Sequence, residues 1–288
     1  MTSASEVVAW LPRPAPSEDK DARGRVLILG GSPRYSGAPV LAALGAARSG
    51  AGIVTLAVAR SLALALAGRM PELTFVPLDE ASPGVIDASA ARAIGEALVD
   101  GRYRAAVVGP GLGHDPTTDP LVLGVLARVG EVPVVVDADG LNALARTETW
   151  PARLPRRAIL TPHAREAARL ARAELAEPRV EWARERAREW GSVLVLKGVC
   201  TVVAAPGGET FVHDRPNPAL ATAGSGDVLS GCIAALLASG LEPYRAASAG
   251  VLLQGEAAAL VAREVGPRGA LATDLAARLP RALASLVS

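Results

Sequence analysis

The sequence predicts an α/β fold in which a mostly parallel sheet is covered by helices on both faces. From Arg25 onward, short apolar runs alternate with longer stretches of helical pattern, the order typical of parallel sheets. The apolar runs are continuous, as expected for strands that are buried on both faces. Residues 228–287 show three or more helical patterns and no strand pattern. Together these observations predict one central sheet between two layers of helices.

Nine strands are predicted in chain order. They cover residues 25–29, 53–58, 73–76, 105–108, 134–136, 158–160, 193–196, 201–204 and 210–212. The last two are close enough to form a hairpin around a Pro-Gly-Gly turn at 206–208. Helices are predicted over residues 38–49, 89–99, 120–129 and 179–190. Residues 1–24 are expected to be a loosely structured lead with room for one short docked helix.

Composition excludes several classes of protein. Half of the 288 residues are apolar, and the net charge is +1, which gives no electrostatic basis for binding nucleic acid or an anionic membrane surface. No apolar run is long enough to cross a bilayer, and the N-terminus lacks the apolar segment of a secretory signal. Cys200 and Cys232 lie in apolar stretches without metal-ligand spacing. We therefore expect free thiols and a cytoplasmic location.

Small and polar residues follow four of the predicted strands. They are Gly30-Gly31-Ser32, Gly109-Pro110-Gly111-Leu112-Gly113, Asp137-Ala138-Asp139 and Thr161-Pro162-His163. Ligands of parallel sheets bind at the carboxyl ends of the strands. Four such turns on one edge of the sheet predict a binding site there.

Structural and functional interpretations of the second and third turns both remain open. The run 109–113 lets the backbone approach a flat or phosphorylated ligand, or it is simply a strand-to-helix turn. Asp137 and Asp139 are suited to bind Mg²⁺ through water beside phosphates. They could equally cap the helix that follows them.

A histidine and a lysine are the other candidate ligand contacts. Thr161 as N-cap with Pro162 as the first helical residue accounts for the fourth turn, and His163 is then expected to project toward the ligand. Only two of the 30 basic residues are lysines, and Lys197 ends an apolar strand, where lysine is rare. Lys197 could neutralise a nucleotide phosphate while Gly198 admits the ligand. The alternative is a lysine that reaches the surface.

The segment NPALATAGSGDVLSG, residues 217–231, carries the most chemical information. Its turn, Ala223-Gly224-Ser225-Gly226, precedes an apolar helical run. Backbone N–H groups at a glycine turn and at a helix start suit an anion such as a phosphoryl group. Asp227 in that place is suited to accept a proton from an attacking hydroxyl. The alternative is that Asp227 is an ordinary helix N-cap.

Three familiar catalytic motifs are missing from the sequence. The glycines at 30, 31 and 37 do not fit the dinucleotide pattern G-x-G-x-x-G, no Gly-Lys pair of a P-loop occurs, and there is no G-x-S-x-G. A Rossmann oxidoreductase, a P-loop nucleotidase and a serine hydrolase of that type are therefore disfavoured.

Six segments in order resemble the ADP/ATP-dependent NAD(P)H-hydrate dehydratases of the ribokinase-like superfamily. They are GGSPRYSGAPVLAALGAARSGAG, VVGPGLG, VVDADGLNAL, ILTPHAREAARL, VLVLKGVCTVV and NPALATAGSGDVLSG. The resemblance implies a ribokinase-like three-layer α/β/α sandwich. It also implies a single domain over residues 25–288, with residues 1–24 as an N-terminal lead in place of the epimerase domain that many relatives carry.

The resemblance implies ADP-dependent dehydration of the S-epimer of NADH or NADPH hydrate, with release of AMP and phosphate. Mg²⁺ is the expected cofactor, and ADP (or ATP) the co-substrate. A separate epimerase is the expected partner protein, and the chain is expected to form a homotetramer. The alternatives are a small-molecule kinase of the same superfamily, of the hydroxyethylthiazole or hydroxymethylpyrimidine type, and a nucleotide sensor without activity.

The resemblance also assigns roles to residues. Asp227 would be the catalytic base. The hydrated dinucleotide would contact Ala38, Gly111, Gly113, His163 and Asp227. The adenine nucleotide would contact Lys197, Gly198, Val199, Cys200, Thr201, Gly224, Ser225 and Gly226. Asp137 and Asp139 remain the candidates for Mg²⁺ binding through water.

Overall fold

The computed structural model describes residues 1–13, 15 and 17–288. Within the predicted lead segment, Pro14 and Pro16 lie outside the described residues. The strands are β1 (Arg25–Leu29), β2 (Ile53–Ala59), β3 (Thr74–Leu78), β4 (Glu80–Ser82), β5 (Val85–Ile86), β6 (Ala105–Val108), β7 (Val134–Val136), β8 (Ala158–Leu160), β9 (Val193–Leu196), β10 (Thr201–Ala204) and β11 (Thr210–His213).

Eleven α-helices occur among the described residues. They are α1 (Ala4–Trp10), α2 (Gly37–Arg48), α3 (Arg60–Ala67), α4 (Ala90–Asp100), α5 (Thr118–Leu126), α6 (Asp139–Arg146), α7 (Ala164–Ala171), α8 (Arg179–Trp190), α9 (Ser225–Ala238), α10 (Pro243–Glu264) and α11 (Ala272–Val287). No helix in this part of the chain combines the length and apolarity needed to cross a membrane.

Nine strands form one sheet in the order β11-β10-β9-β8-β7-β6-β1-β2-β3. All neighbours are parallel except β10, which is antiparallel to both β9 and β11. The remaining strands, β4 and β5, form a separate antiparallel pair. The predicted mostly parallel sheet and its hairpin are therefore confirmed.

The two faces of the sheet are buried under different helices. On β1, Val26 and Ile28 pack with α2, α9, α10 and α11, whereas Leu27 and Leu29 pack with the layer of α4 to α8. Successive side chains of a strand point to opposite faces, so continuous apolar strands supply both interfaces. This gives the predicted three-layer α/β/α sandwich.

Several element boundaries differ from the sequence prediction, and some elements were missed. The predicted strand 73–76 lies at Thr74–Leu78 and includes Pro77, which the sheet tolerates because β3 is an edge strand. The predicted helix 120–129 runs from Thr118 to Leu126, since Pro120 fits within a first helical turn. The pattern did not reveal α3 or the β4–β5 pair, because these elements are short and partly exposed.

Residues of the N-terminal lead dock on the sheet edge. The Thr2 amide donates to the Thr210 carbonyl oxygen at 2.7 Å, so that Thr2 extends the sheet beside β11. Val7 of α1 is fully buried, and the Trp10 ring meets the Tyr244 ring edge-on at 6.1 Å. The expected short helix is therefore present and packed.

Candidate functional site

The strand-end turns meet at one edge of the sheet, as predicted. The Gly31 amide donates to the Pro110 carbonyl oxygen at 2.8 Å, and the Gly113 amide donates to Asp139 Oδ2 at 2.8 Å. The turns after β1, β6 and β7 are thereby held together. Because β8, β7, β6 and β1 are neighbours in the sheet, their carboxyl ends form one continuous rim.

Lys197, which directly follows β9, forms an ion pair with Asp137 on this rim. Lys197 Nζ lies 2.9 Å from Asp137 Oδ1, and the two side chains are 19% and 2% exposed. Burial alone would lower the pKa of the Lys197 ammonium, but the carboxylates of Asp137 and Glu166 outweigh it and raise that pKa. Lys197 is therefore a fixed cation inside the site, and the surface alternative is wrong.

The predicted glycine turn leads directly into α9. Gly224 is the N-cap residue, and its φ of +87° is in the left-handed region that favours glycine. A Cβ on Gly226 would lie 3.0 Å from Lys197 Nζ. The absence of a side chain there lets the helix N-terminus approach the ammonium, so α9 and Lys197 direct positive charge toward one point.

Asp227 is the third residue of α9 and does not cap the helix, because the N-cap is Gly224. Its side chain lines a cavity of about 310 Å³ together with Asp137, His163, Glu166 and Lys197. Burial and the neighbouring Asp137 raise the pKa of the Asp227 carboxyl to about 7, against a weaker opposing effect of Lys197. An acid that titrates near neutral pH is suited to exchange a proton during a reaction.

His163 differs in its structural role from the expectation. The N-cap of α7 is His163 itself: its Nδ1 accepts hydrogen bonds from the amides of Arg165 and Glu166. Thr161 is not the cap, since its amide donates to Val136 and continues the strand pairing. His163 still lines the cavity of Asp227, and its contact with the dinucleotide stays a prediction. Burial and the nearby Lys197 lower the pKa of its imidazole.

Glu166 is a site residue that the sequence reasoning missed. Its side chain is only 7% exposed and accepts a hydrogen bond from the His163 amide at 2.9 Å. Burial raises the pKa of this carboxyl. The capping-box spacing His163-x-x-Glu166 was the signal that could have located it.

Asp139 binds the glycine turn after β6. Its Oδ2 accepts from the Gly113 amide, and its Oδ1 accepts from Asn142 Nδ2 at 3.1 Å. Neither Asp139 nor Asp137 caps α6, whose N-cap position is Ala138 and has no side-chain cap. The capping interpretation of the two aspartates is therefore wrong. Ala138 lies between them with a φ of +49°, a strained conformation for alanine that is typical of functional sites.

Ala38 and Gly111 lie together on the Gly113 side of the site. A Cβ on Gly111 would come within 2.9 Å of Ala38 Cβ and 2.5 Å of the Tyr35 carbonyl oxygen. The turn after β6 thus packs closely against the start of α2. The residues implied for the dinucleotide consequently form two groups, and Asp139 is near both: it accepts from the Gly113 amide and helps to raise the pKa of Asp227.

Most of the residues implied for the nucleotide line a second cavity of about 460 Å³, whereas Gly224 lines the cavity of Asp227 instead. Its lining includes Lys197, Gly198, Val199, Thr201, Ser225 and Gly226. Cys200 is a half-buried free thiol and is not among the lining residues. Gln254 of α10 also lines the cavity, and its Nε2 donates to the Ser225 carbonyl oxygen at 2.6 Å. Because the two cavities share His163 and Lys197, they form one connected site.

The fold and this site define a class of protein. It is an α/β/α sandwich in which a helix N-terminus, a lysine ion-paired with an aspartate, and an acid with a pKa near 7 face one connected site. Comparison with known proteins gives the family. The model of the NAD(P)H-hydrate dehydratase family matches residues 26–281. The chain belongs to the NAD(P)H-hydrate dehydratase family.

Individual relatives agree with this result. An ADP-dependent (S)-NAD(P)H-hydrate dehydratase from Xanthomonas campestris is 39% identical, over 93% of this chain and 91% of its own length. The crystal structure of the ADP/ATP-dependent NAD(P)H-hydrate dehydratase from Bacillus subtilis, co-crystallised with ATP and Mg²⁺, has a TM-score of 0.83 and 32% identity, covering 99% of this chain and 97% of that one. The ribokinase-like fold is confirmed.

Other curated relatives are longer than this chain. A bifunctional NAD(P)H-hydrate repair enzyme from Moorella thermoacetica is 44% identical over 96% of this chain but only 53% of its own length. The chain thus spans about half the length of the bifunctional relatives it matches.

Proposed function

We propose that this protein is an ADP-dependent (S)-NAD(P)H-hydrate dehydratase, which restores NADH or NADPH from the S-epimer of its hydrate and releases AMP and phosphate. Membership of the family and the similarity to the Xanthomonas enzyme support this reaction. One observation carries it for this chain: Asp227, an acid with a near-neutral pKa, lines the cavity of Lys197 at the first turn of α9.

The chemistry of the substrate explains why such an acid is needed. Hydroxide is a poor leaving group, so the hydroxyl on C6 of the hydrated ring is first phosphorylated by the nucleotide. Asp227 accepts the hydroxyl proton as the oxygen attacks the terminal phosphorus of ADP, and AMP leaves. The ring nitrogen then expels phosphate, and loss of the C5 proton restores the dihydropyridine. The atoms balance as hydrate plus ADP to NAD(P)H, AMP and phosphate.

Lys197 and the N-terminus of α9 stabilise the phosphoryl group during transfer. Their charges are fixed before the reaction, because Asp137 holds the ammonium and Gly224 holds the helix start. Groups that are oriented in advance stabilise developing charge without the cost of reorganisation. Gly198, Val199 and Thr201, which line the nucleotide cavity, would hold the rest of the nucleotide.

Mg²⁺ fits the carboxylates in the cavity that Asp227 lines. Among the described residues, no group of three or more His, Cys, Asp or Glu could hold a metal alone. Mg²⁺ beside phosphates, however, needs only one or two carboxylates and keeps several waters. Asp137 and Glu166 line the cavity and would hold the ion through water, where it neutralises phosphate charge. Asp139 is less suited, since both its oxygens accept hydrogen bonds from protein donors.

The remaining assignments follow from the same proposal. Ala38, Gly111, Gly113 and His163 would contact the hydrated dinucleotide. Residues 25–288 would form the catalytic domain, and a separate epimerase would supply the S-epimer. We further propose a homotetramer that works in the cytoplasm, consistent with two cysteines that are both free thiols.

The test is recovery of NADH absorbance from purified S-NADH hydrate with Mg²⁺ and either ADP or ATP. We expect recovery that is stoichiometric with AMP when ADP is the donor. Ser230→Ala is a suitable control for Asp227→Asn, since Ser230 lies one helical turn away and its hydroxyl donates only to the Asp227 carbonyl oxygen.

Two results would contradict the proposal. No recovery of NADH with either nucleotide would exclude the dehydratase. Nucleotide-dependent formation of a stable phosphate ester on hydroxyethylthiazole or hydroxymethylpyrimidine would identify a kinase instead.

A further inference from the structure

An arginine that has no role in the reaction described above holds the turn between β9 and β10. This turn, residues 197–200, is called the nucleotide turn below. Arg179 is the first residue of α8, and its Nη2 donates to the Lys197 carbonyl oxygen at 3.2 Å. The Lys197 amide donates to the Pro162 carbonyl oxygen at 2.8 Å. Both backbone polar groups of Lys197 are therefore hydrogen-bonded, and the carbonyl depends on Arg179.

The Arg179 guanidinium also packs against Gly198. A Cβ on Gly198 would lie 2.7 Å from Arg179 Nη2 and 3.2 Å from its Cζ. Gly198 is not among the glycines with a positive φ, so its missing side chain serves this close approach and not an unusual backbone conformation. Gly198 lines the cavity of about 460 Å³, whereas Arg179 does not. The guanidinium therefore supports the wall of the nucleotide cavity from behind.

The position of Arg179 is unfavourable for the stability of α8. A cation at the first position of a helix is repelled by the positive end of the helix dipole. Arg179 Nε is buried and has no hydrogen-bond partner among the described residues, and a buried donor without a partner is destabilising. Because the side chain is unfavourable for its own helix in both respects, its contact with the nucleotide turn is the better explanation for an arginine here.

We propose that Arg179 is a positioning residue for the nucleotide, which holds the nucleotide turn in its ADP-binding geometry through the Lys197 carbonyl and Gly198. This inference rests on the proposed function, because it concerns the nucleotide site of that reaction. The Lys197 ammonium is held separately by Asp137, so phosphoryl transfer does not depend on the Arg179 contact. Arg179 therefore acts on the affinity for ADP and not on kcat.

Arg179→Met is the first test, because methionine keeps an apolar stem and removes the donors and the charge. We expect the Kd and the KM for ADP to rise about tenfold, the loss of roughly one hydrogen bond to a charged group. The kcat should stay within about twofold of wild type and the KM for hydrated NADPH should not change, the pattern of lost ground-state binding. Arg188→Met, at an exposed arginine of the same helix, is the matched control.

Gly198→Ala tests whether Arg179 acts through the nucleotide turn. The added methyl group displaces the guanidinium, so the Kd for ADP should rise by a factor similar to that of Arg179→Met. In the double variant, the second change should weaken ADP binding by less than about threefold, because both changes remove the same contact. If the two single effects multiply in full, Arg179 does not act through Gly198, and the inference is overturned.

Calorimetric titration with ADP and Mg²⁺ measures these affinities, and urea denaturation measures stability. An unchanged Kd in Arg179→Met, a fall in kcat as large as the rise in Kd, or a variant that is partly unfolded under the assay conditions would each overturn the positioning role. If wild type binds ADP but restores no NADH, the proposed function fails, and the titrations still test Arg179. Wild type that binds no ADP would overturn both.

Discussion

The fold raises the pKa of the Asp227 carboxyl to about 7, because burial and the acids around it disfavour its charged form. The same environment makes it useful as a base and costly for stability. A carboxylate that was free in water would be ionised throughout the physiological range, but it would be a weaker base. The energetic and the catalytic consequences of this environment can both be measured.

Asp227→Asn is the first prediction at this scale. We expect kcat to fall by about 10²- to 10⁴-fold, the usual contribution of a general base. The Kd for ADP should stay within about threefold of the wild-type value, since the helix start and Lys197 remain. Such a change is smaller than the loss of one typical hydrogen bond would cause. Single-turnover rates and equilibrium titration of ADP measure the two quantities. Near-normal turnover would show that another group accepts the proton.

The second prediction concerns pH. Because Asp227 must be ionised to accept a proton, kcat/KM should rise through about pH 7 and level off above it. A profile that is flat from about pH 5 to pH 8 would contradict this, because the proposed base titrates within that range.

Stability should change with pH in the opposite direction. The folded-state pKa of Asp227 lies above its unfolded value of 3.8, so the folded protein binds the additional proton between these values. Its contribution to stability is present below the lower pKa and is lost as pH rises to about 7. The Asp227→Asn variant should therefore be more stable than wild type at about pH 8. We expect its free energy of unfolding, measured by urea denaturation, to be higher by about 1–3 kcal/mol. Equal or lower stability of the variant would exclude this account.

Some single residues were predictable from the sequence and others were not. Lys197 was found because lysine is rare in this chain and unusual in an apolar strand. Glu166 was not, because its place in the site depends on Asp137 and Lys197, which come to it from distant segments of the chain. The roles of Asp139 and His163 in local hydrogen bonding were likewise set by neighbours that no short motif reveals.

At the scale of elements, the position of Asp227 depends on how α9 packs against α2. The two helices meet at glycines: a Cβ on Gly231 would lie 1.8 Å from the Ala42 carbonyl oxygen, and one on Gly45 would lie 2.2 Å from the Val228 carbonyl oxygen. The backbones are therefore in direct contact. The sequence predicted both helices, but the glycine contact could not be inferred because it requires knowing which helices are neighbours.

Gly231→Ala should push α9 away from α2. We expect a loss of about 3 kcal/mol or more in the free energy of unfolding, at the upper end of overpacking costs, together with lower turnover as Asp227 moves. Gly68→Ala is the matched control, because a Cβ there meets nothing within 4 Å and its φ is negative. Urea denaturation of both variants gives the comparison. A Gly231→Ala variant as stable as the control would show that the helices can separate freely.

At the scale of the whole molecule, the sheet order brings distant turns into one site. The sequence predicted all nine strands of the sheet and their alternation with helices, since continuous apolar runs are a strong signal. It did not give the strand order, because neighbours such as β1 and β6 are far apart in the chain. That order is what joins the turn after β1 to those after β6 and β7.

The docked N-terminal residues give a prediction at this scale. Trp10→Ala removes the contact with Tyr244 and the cation–π contact with the Arg245 guanidinium, which lies 5.1 Å from the Trp10 ring centre. We expect a loss of about 1–2 kcal/mol in the free energy of unfolding and faster proteolysis near residue 10, with kcat unchanged. Limited digestion and urea denaturation measure these effects. A variant with wild-type digestion kinetics would show that the docking of α1 contributes nothing.

Thr2 and Pro77 limit backbone hydrogen bonding at the two edge strands of the sheet, β11 and β3. Pro77 cannot donate a backbone hydrogen bond from β3, and Thr2 covers β11 at Thr210 and Phe211. Exposed edge strands invite pairing with other chains and growth into fibrils. With both borders obstructed, copies of this protein are discouraged from joining strand to strand, and an assembly such as the proposed tetramer would form through helices and loops instead.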